Sequence, residues 1–543
     1  MGKINQMMKN FIKVSRAGDV EYARSVKTAS TPAVVFCGVL FLLIALLVGT
    51  PVCAQPVKEL PTVEIKDIDN DNLPDASIET SKTRVIISSR DGEISSYYLK
   101  GHNFEENIIP PLLLDYGYNV ASDTLRPFSG EMGSVLMQHF GYRVALDERS
   151  DGRVTISATP NVSGTASDPG VNLGKKYTFH ANRYSFEIQL IATNLGDAPL
   201  QVGDDKKPGL IFQYGPGLFL DPFDPTSFVA LKSEGHEFIV KPEDVLKKGD
   251  SGGFTGIGLK SNYFCVLMDA KTSVKLQAKT MELKPADSRR KTFSGSVIGL
   301  SFPSFVLKPK ESKEFSFQMY LGPKILDELT TIHREAVTDY GFLSTILLRI
   351  LQTFNAVYPN YGLSIIFLTV LVRILLYPLT LKSTKSMAQV QKIQPLVQDL
   401  KDRYRDNTQR FNEEVLKLYQ KHEVNPLGGC LPMLLQLPIL IALYNTINIA
   451  VELRKTPFLW MTDLSKADPF MILPFTIAAM MYYQQGKMPD TQQQQMMLFM
   501  PVFMFAITWG LPAGLLVYWF TSSVIGILQQ IQANKIIAAI KEE

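Results

Sequence analysis

Residues 362–381 form an apolar stretch long enough to cross a bilayer as a helix, and one cation, Arg373, interrupts it. An arginine there costs about 2.5–3.5 kcal/mol on insertion scales, so it usually marks a function. Its ordinary remedy would be a buried carboxylate. The four apolar segments that follow, 427–450, 470–485, 496–510 and 514–533, contain no Asp or Glu. Arg373 is therefore expected to face water or to await a carboxylate that arrives on another molecule. The competing reading is snorkelling along its own stem. If Lys382 marks the cytoplasmic edge, Arg373 lies about 13 Å inside it, near the limit of that reach.

The 543 residues suffice for several domains, and the apolar ones are gathered in segments, so a mean hydropathy near zero averages two unlike materials. A net charge of +3 without an aromatic-plus-basic stripe argues against a nucleic-acid binder. The four cysteines, Cys37, Cys53, Cys265 and Cys430, have no metal-ligand spacing and imply no disulfide framework. The six histidines stand singly, so neither a metal site nor a cofactor is expected.

Residues 32–49 are apolar and follow a basic tail, residues 1–31. A cleaved signal sequence is one reading. About 18 apolar residues is nearly a span, and we read 32–52 as an uncleaved transmembrane anchor. Residues 53–81 are polar and read as a linker. Residues 82–324 read as an exported β-sandwich domain. Tyr184, Phe186, Ile188 and Leu190 alternate with polar neighbours, the period of a strand with one buried face. Residues 153–158, behind Ser150-Asp151-Gly152, read as the second arm of a hairpin, and 315–320 as another strand.

From Ile325 the period becomes helical, so residues 325–357 read as connecting and interfacial amphipathic helices. Were Phe342–Val357 a span, the loop 382–426, with nine Lys and Arg, would fall on the same side as the β domain, against the positive-inside rule. We therefore place this helix on the outer surface and read 358–533 as a five-span core, with a cytoplasmic tail at 534–543 and both termini inside. Loop 382–426 carries an apolar stripe through Ile393, Leu396, Val397, Leu400 and Tyr404, a turn at Asp406-Asn407-Thr408, and a second stripe through Phe411, Val415 and Leu418. It reads as a helical hairpin, either self-contained or a landing surface for a partner.

Two strings imitate catalytic motifs. Gly249-Asp250-Ser251-Gly252-Gly253 matches the surroundings of a trypsin-like nucleophile, but the histidine and disulfides of that chemistry are missing, and it reads as a turn. Gly170-Val171-Asn172-Leu173-Gly174-Lys175-Lys176 has the wrong glycine spacing for a phosphate loop and no Ser or Thr after the lysine. The chain is not expected to be an enzyme.

The runs Arg373-Ile374-Leu375-Leu376-Tyr377-Pro378-Leu379-Thr380, Asn425-Pro426-Leu427-Gly428-Gly429-Cys430 and Leu511-Pro512-Ala513-Gly514 resemble those of the YidC membrane protein insertases. Gln436-Leu437-Pro438 and Val451-Glu452-Leu453-Arg454 fit the same pattern, while Tyr214-Gly215-Pro216-Gly217 and Leu321-Gly322-Pro323-Lys324 resemble the periplasmic domain of the Gram-negative branch. The resemblance implies a client-binding hydrophilic groove, open to the cytoplasm and the lipid, with Arg373 at its centre and Thr369, Gln436, Tyr518 and Ser522 at other polar positions. Thr369, Ser522 and Gln436 have a structural alternative: hydroxyls often satisfy helix carbonyls, and the amide can bond between helices. Trp519 stands where many Gram-negative members have a second tyrosine, which keeps aromatic contact and loses a hydroxyl. The partners implied are nascent membrane proteins, the lipid bilayer, the Sec translocon and the ribosome, in the inner membrane. The C-terminus, Lys541-Glu542-Glu543, lacks the long basic extension that helps some relatives hold ribosomes.

Overall fold

The computed structural model describes residues 61–542 apart from 69–71, 102–105, 108–117, 120–127, 133–134, 137–140, 151, 162–170, 216–225, 233–236, 241–252, 286–292, 406, 423–430 and 486–499. The N-terminal tail, the expected anchor at 32–52 and most of the protease-like string lie outside the described residues. The described residues divide into two compact units: one within Gln55–Leu348 and Leu437–Trp519, the other within Arg349–Gln436 and Phe520–Glu543.

The first unit is built on antiparallel sheets. The largest has nine strands, in the order Glu237–Val240, Ser227–Lys232, Phe254–Lys260, Phe264–Asp269, Ser312–Pro323, Ser185–Asn194, Val171–His180, Arg153–Pro160 and Tyr142–Ser150. The alternation predicted at 184–190 decides which face is covered: Tyr184, Phe186, Ile188 and Leu190 are all buried. Ile188 lies opposite Phe317 in register, so these side chains share a face with Phe315, Phe317 and Met319 of the neighbouring strand. A six-stranded sheet closes on that face through Phe212, whose ring centroid is 4.7 Å from that of Phe317. This is the sandwich. The hairpin expected around Ser150 is present, with Arg153 paired to Ser150.

One expectation is corrected. Residues 53–81 are no simple linker, because Thr62–Lys66 and Asp75–Glu79 are the first two strands of a five-stranded meander. Ala76 and Ile78 are fully buried there, and Tyr97 of the same sheet reaches Phe186 at 5.7 Å between centroids. Two buried side chains among acidic neighbours are too short a pattern to read as a strand. The phosphate-loop-like string, for its part, runs through the strand Val171–His180. Its Lys175 is buried and bonds the Glu93 carboxylate at 3.1 Å and the Asp91 carbonyl at 2.9 Å. Burial pulls the Lys175 ammonium down, and the Glu93 charge with its neighbours more than offsets this, leaving it above its usual value.

From the sandwich the chain passes through helix α1 (Leu326–Thr331), a 3-10 turn at Glu335–Thr338, and helix α2 (Phe342–Val357). Charges pin this connector to the sheets. Arg334, itself buried, donates to the Asp269 carboxylate at 2.5 Å and to the Lys232 carbonyl at 2.7 Å. Asp339, at φ 63°, accepts from Lys260 at 2.5 Å and Lys324 at 3.3 Å. The Ser344 hydroxyl at the start of α2 donates to the Ala442 carbonyl at 3.0 Å.

Helix α3 (Tyr361–Arg403) opens on Asn360, whose side chain accepts from the Leu363 N–H at 3.0 Å, and runs 43 residues. The apolar stretch and the first arm of the expected hairpin are thus one continuous helix, with no break at Lys382. Nothing between Lys382 and Val390 supplies a Gly or Pro to stop it. Helix α4 (Thr408–Lys421) follows a short turn and is capped by Asn407, which accepts from the Arg410 N–H at 3.0 Å.

The rest of the chain comprises α5 (Leu431–Ile449), α6 (Ile472–Gln485), α7 (Met500–Thr508) and α8 (Ala513–Glu542). After α5, Val451–Leu453 are buried and Arg454 lies over the rings of Tyr263 and Phe264 at 5.3 and 5.4 Å, so this loop docks on the sandwich. Among the described residues two helical stretches are long and apolar enough to cross a membrane: Tyr361–Ser383, with mean hydropathy 2.1, and Ala513–Gln532, with 1.3.

Candidate functional site

The site is set by two helices, α3 and α8, and by the start of α5. Arg373 stands on α3 thirteen residues after its capping Asn360 and is half-buried. Its Nε donates to the Ser522 hydroxyl on α8 at 2.8 Å. The Gln436 side-chain amide on α5 donates to the same oxygen at 3.4 Å. One buried hydroxyl therefore receives a cation and a neutral amide from two other helices.

The next turn of α8 brings Gly526 against the guanidinium. A methyl group built on Gly526 would sit 3.4 Å from Nη2 and 3.6 Å from Nη1 of Arg373. The residue at this position decides how much of the guanidinium is covered, and glycine covers least. Sequence reading passed over Gly526, although its spacing of four from Ser522 puts both on one helix face.

The other expected residues are placed differently. Thr369 is fully buried and its hydroxyl donates to the Ile365 carbonyl at 2.7 Å, one turn back on its own helix. Tyr518 is buried and Trp519 half-buried, on the first part of α8, which belongs to the unit containing the sandwich. Among the expected residues, hydrogen bonds join Arg373, Gln436 and Ser522.

Chemically, the cluster sets a cation beside a hydroxyl and an amide. A guanidinium keeps its charge at any accessible pH and offers five N–H donors, of which Nε is used by Ser522. Such a group recognises a carboxylate. Among the described residues no group of three or more His, Cys, Asp or Glu could hold a metal ion.

Residues 75–353 match the family described as the YidC periplasmic domain, and residues 353–541 the family described as 60Kd inner membrane protein. The membrane protein insertase YidC of Geobacter sulfurreducens is 34% identical over 389 residues, covering 68% of this chain and 70% of that one. That of Geotalea daltonii is 30% identical over 481 residues, covering 85% and 87%. A third, from Oleidesulfovibrio alaskensis, is 44% identical over 236 residues, 40% of this chain and 44% of its own.

Proposed function

Because the chain belongs to the YidC family of membrane protein insertases, with a periplasmic β-rich domain ahead of a helical C-terminal core, we propose that Arg373, Gln436 and Ser522 form its client-binding groove. The observation that carries this reading is the 2.8 Å bond from Arg373 to Ser522, which ties together the two helices long and apolar enough to cross a membrane.

A hydrophobic segment entering a bilayer releases free energy on burial, yet its polar flank must first pass about 30 Å of hydrocarbon. A wet groove reaching part-way shortens that barrier. Arg373 attracts an acidic flank for a moment, and a potential positive outside favours moving each negative charge outward by about 2.3 kcal/mol per 100 mV. The hydrophobic segment then leaves sideways into lipid. No bond is made or broken, so the chain works as an insertase and chaperone for inner-membrane proteins without being an enzyme. In this reading the core has five spans, the termini lie in the cytoplasm, and the helical pair α3–α4 is the first cytoplasmic surface a client meets. Insertion proceeds alone or beside the Sec translocon, with ribosomes delivering clients.

The test uses purified protein in liposomes and a short single-span client with one aspartate in its translocated flank. Insertion by the wild type that is lost in Arg373→Ala, and kept for an asparagine client, is the expected result. Equal insertion by both proteins would remove Arg373 from the mechanism.

A further inference from the structure

Helix α8 carries a third polar residue on the face of Ser522. Ser522, Gly526 and Gln529 are spaced four and three apart, so they line up along one side of the helix. Gln529 Oε1 is buried and has no hydrogen-bond partner among the described residues. A buried acceptor left unmet is unfavourable, and native proteins keep few of them; those that persist are commonly filled by water or ligand. Here the orphaned carbonyl lies on the same stripe as the hydroxyl that holds Arg373, beyond a glycine that faces the guanidinium.

We infer that Gln529 is a second client contact, whose side-chain carbonyl accepts a main-chain N–H of the client while Arg373 holds the client's carboxylate. This rests on the reading of Arg373, Gln436 and Ser522 as the client groove. The chemistry differs between the two points. Arg373 selects a charge, which only some clients carry, whereas an amide carbonyl accepts from the backbone of any residue but proline. Such a contact suits a protein whose clients share a backbone and little else.

The spacing fixes a register. Seven residues of helix separate Ser522 from Gln529, about 10 Å at about 1.5 Å per residue. An extended chain covers that distance in about three residues at about 3.3 Å each. For a client whose N-terminal flank is translocated first, an aspartate held at Arg373 places the N–H about three positions C-terminal to it against Gln529. Gly526 lies between them, where a bulky side chain would block the path.

The experiment is a double cycle in liposomes with the full chain and a synthetic single-span client. The client carries one aspartate and either a normal peptide bond or an N-methyl group about three positions on, with a control methylated about eight positions on. The protein is wild type or Gln529→Met, a change close in volume that removes the acceptor. Loss of one neutral hydrogen bond corresponds to roughly a five-fold fall in insertion. The near methylation should produce that fall with the wild type, the far one should not, and Gln529→Met should be low and insensitive to either. If near methylation lowers insertion equally in both proteins, Gln529 is not the acceptor and the inference fails. If neither client methylation matters to the wild type, the carbonyl is satisfied by water or lipid and the inference fails equally. Arg373→Ala, run beside these with aspartate and asparagine clients, reports on the arginine reading separately. An arginine effect without a coupled Gln529 effect would leave that reading intact and remove this one.

Discussion

Arg373 and Ser522, 149 residues apart in the chain, meet at 2.8 Å, and the bond uses the guanidinium's inner nitrogen, Nε. The fork of Nη1 and Nη2 lies instead along the glycine face of α8. The charge is thus oriented by its stem.

This orientation predicts a graded series. Arg373→Ala should lower insertion of acidic-flank clients by roughly 10- to 100-fold, the range of a charged hydrogen bond of about 1.5–3 kcal/mol. Arg373→Lys keeps a point charge but loses the Ser522 geometry and should fall between the two. Initial insertion rates in liposomes rank the three. A lysine variant as poor as alanine would show that the fork, and more than the charge, is required.

Ser522→Ala should cost less than Arg373→Ala, a few-fold at most, because it frees the arginine to wander without removing it. Combined with Arg373→Lys it should add little, since both changes break one bond. Fully additive losses would mean that Ser522 contacts the client by itself.

The connector should be sensitive to a single charge. Asp269→Ala leaves the Arg334 guanidinium, 5% exposed, without its carboxylate, and breaking a buried pair from one side costs about 3–5 kcal/mol. Residues 325–341 should then become cleavable by protease while α3–α4 cleavage is unchanged. Deleting residues 82–280 removes Asp269, Lys260 and Tyr263 together, so loss of insertion in that deletion would report on connector support before any chemistry of the β domain.

His180 supplies a pH dependence. Burial, then the charges of Arg183 and Arg153, holds its imidazole below the usual 6.5. The unfolded chain therefore binds the proton more readily, so stability is complete above about pH 6.5 and falls as the pH drops below that value. A melting series from pH 7.5 to 5 should show this loss, reduced in His180→Gln. An identical slope in the variant would assign the acid sensitivity elsewhere.

How much of this was legible from residue order follows from the physics of each element. The alternation at 184–190 and the apolar stretch 362–381 are local patterns of strong period, and both became the expected elements. The strands Thr62–Lys66 and Asp75–Glu79 alternate over only two apolar residues each, Val63 with Ile65 and Ala76 with Ile78, too short a run to read as a strand; the first stays largely exposed, and the second is buried only by the sheets around it. Lys175 shows the reverse failure: its neighbours spell part of a nucleotide motif, yet a strand and a buried glutamate make it a structural cation.

The site divides in the same way. The sequence by itself determined that a cation lies within an apolar helix and that no Asp or Glu occurs in the apolar segments after it, because charge and hydropathy are properties of residues. It also determined which hydroxyls and amides were available. Only the tertiary structure decided among them, because a hydroxyl bonds whatever acceptor or donor lies within about 3 Å. For Thr369 that is the carbonyl four residues back, for Ser522 it is an arginine from another helix, and for Gln529 Oε1 nothing described lies within reach.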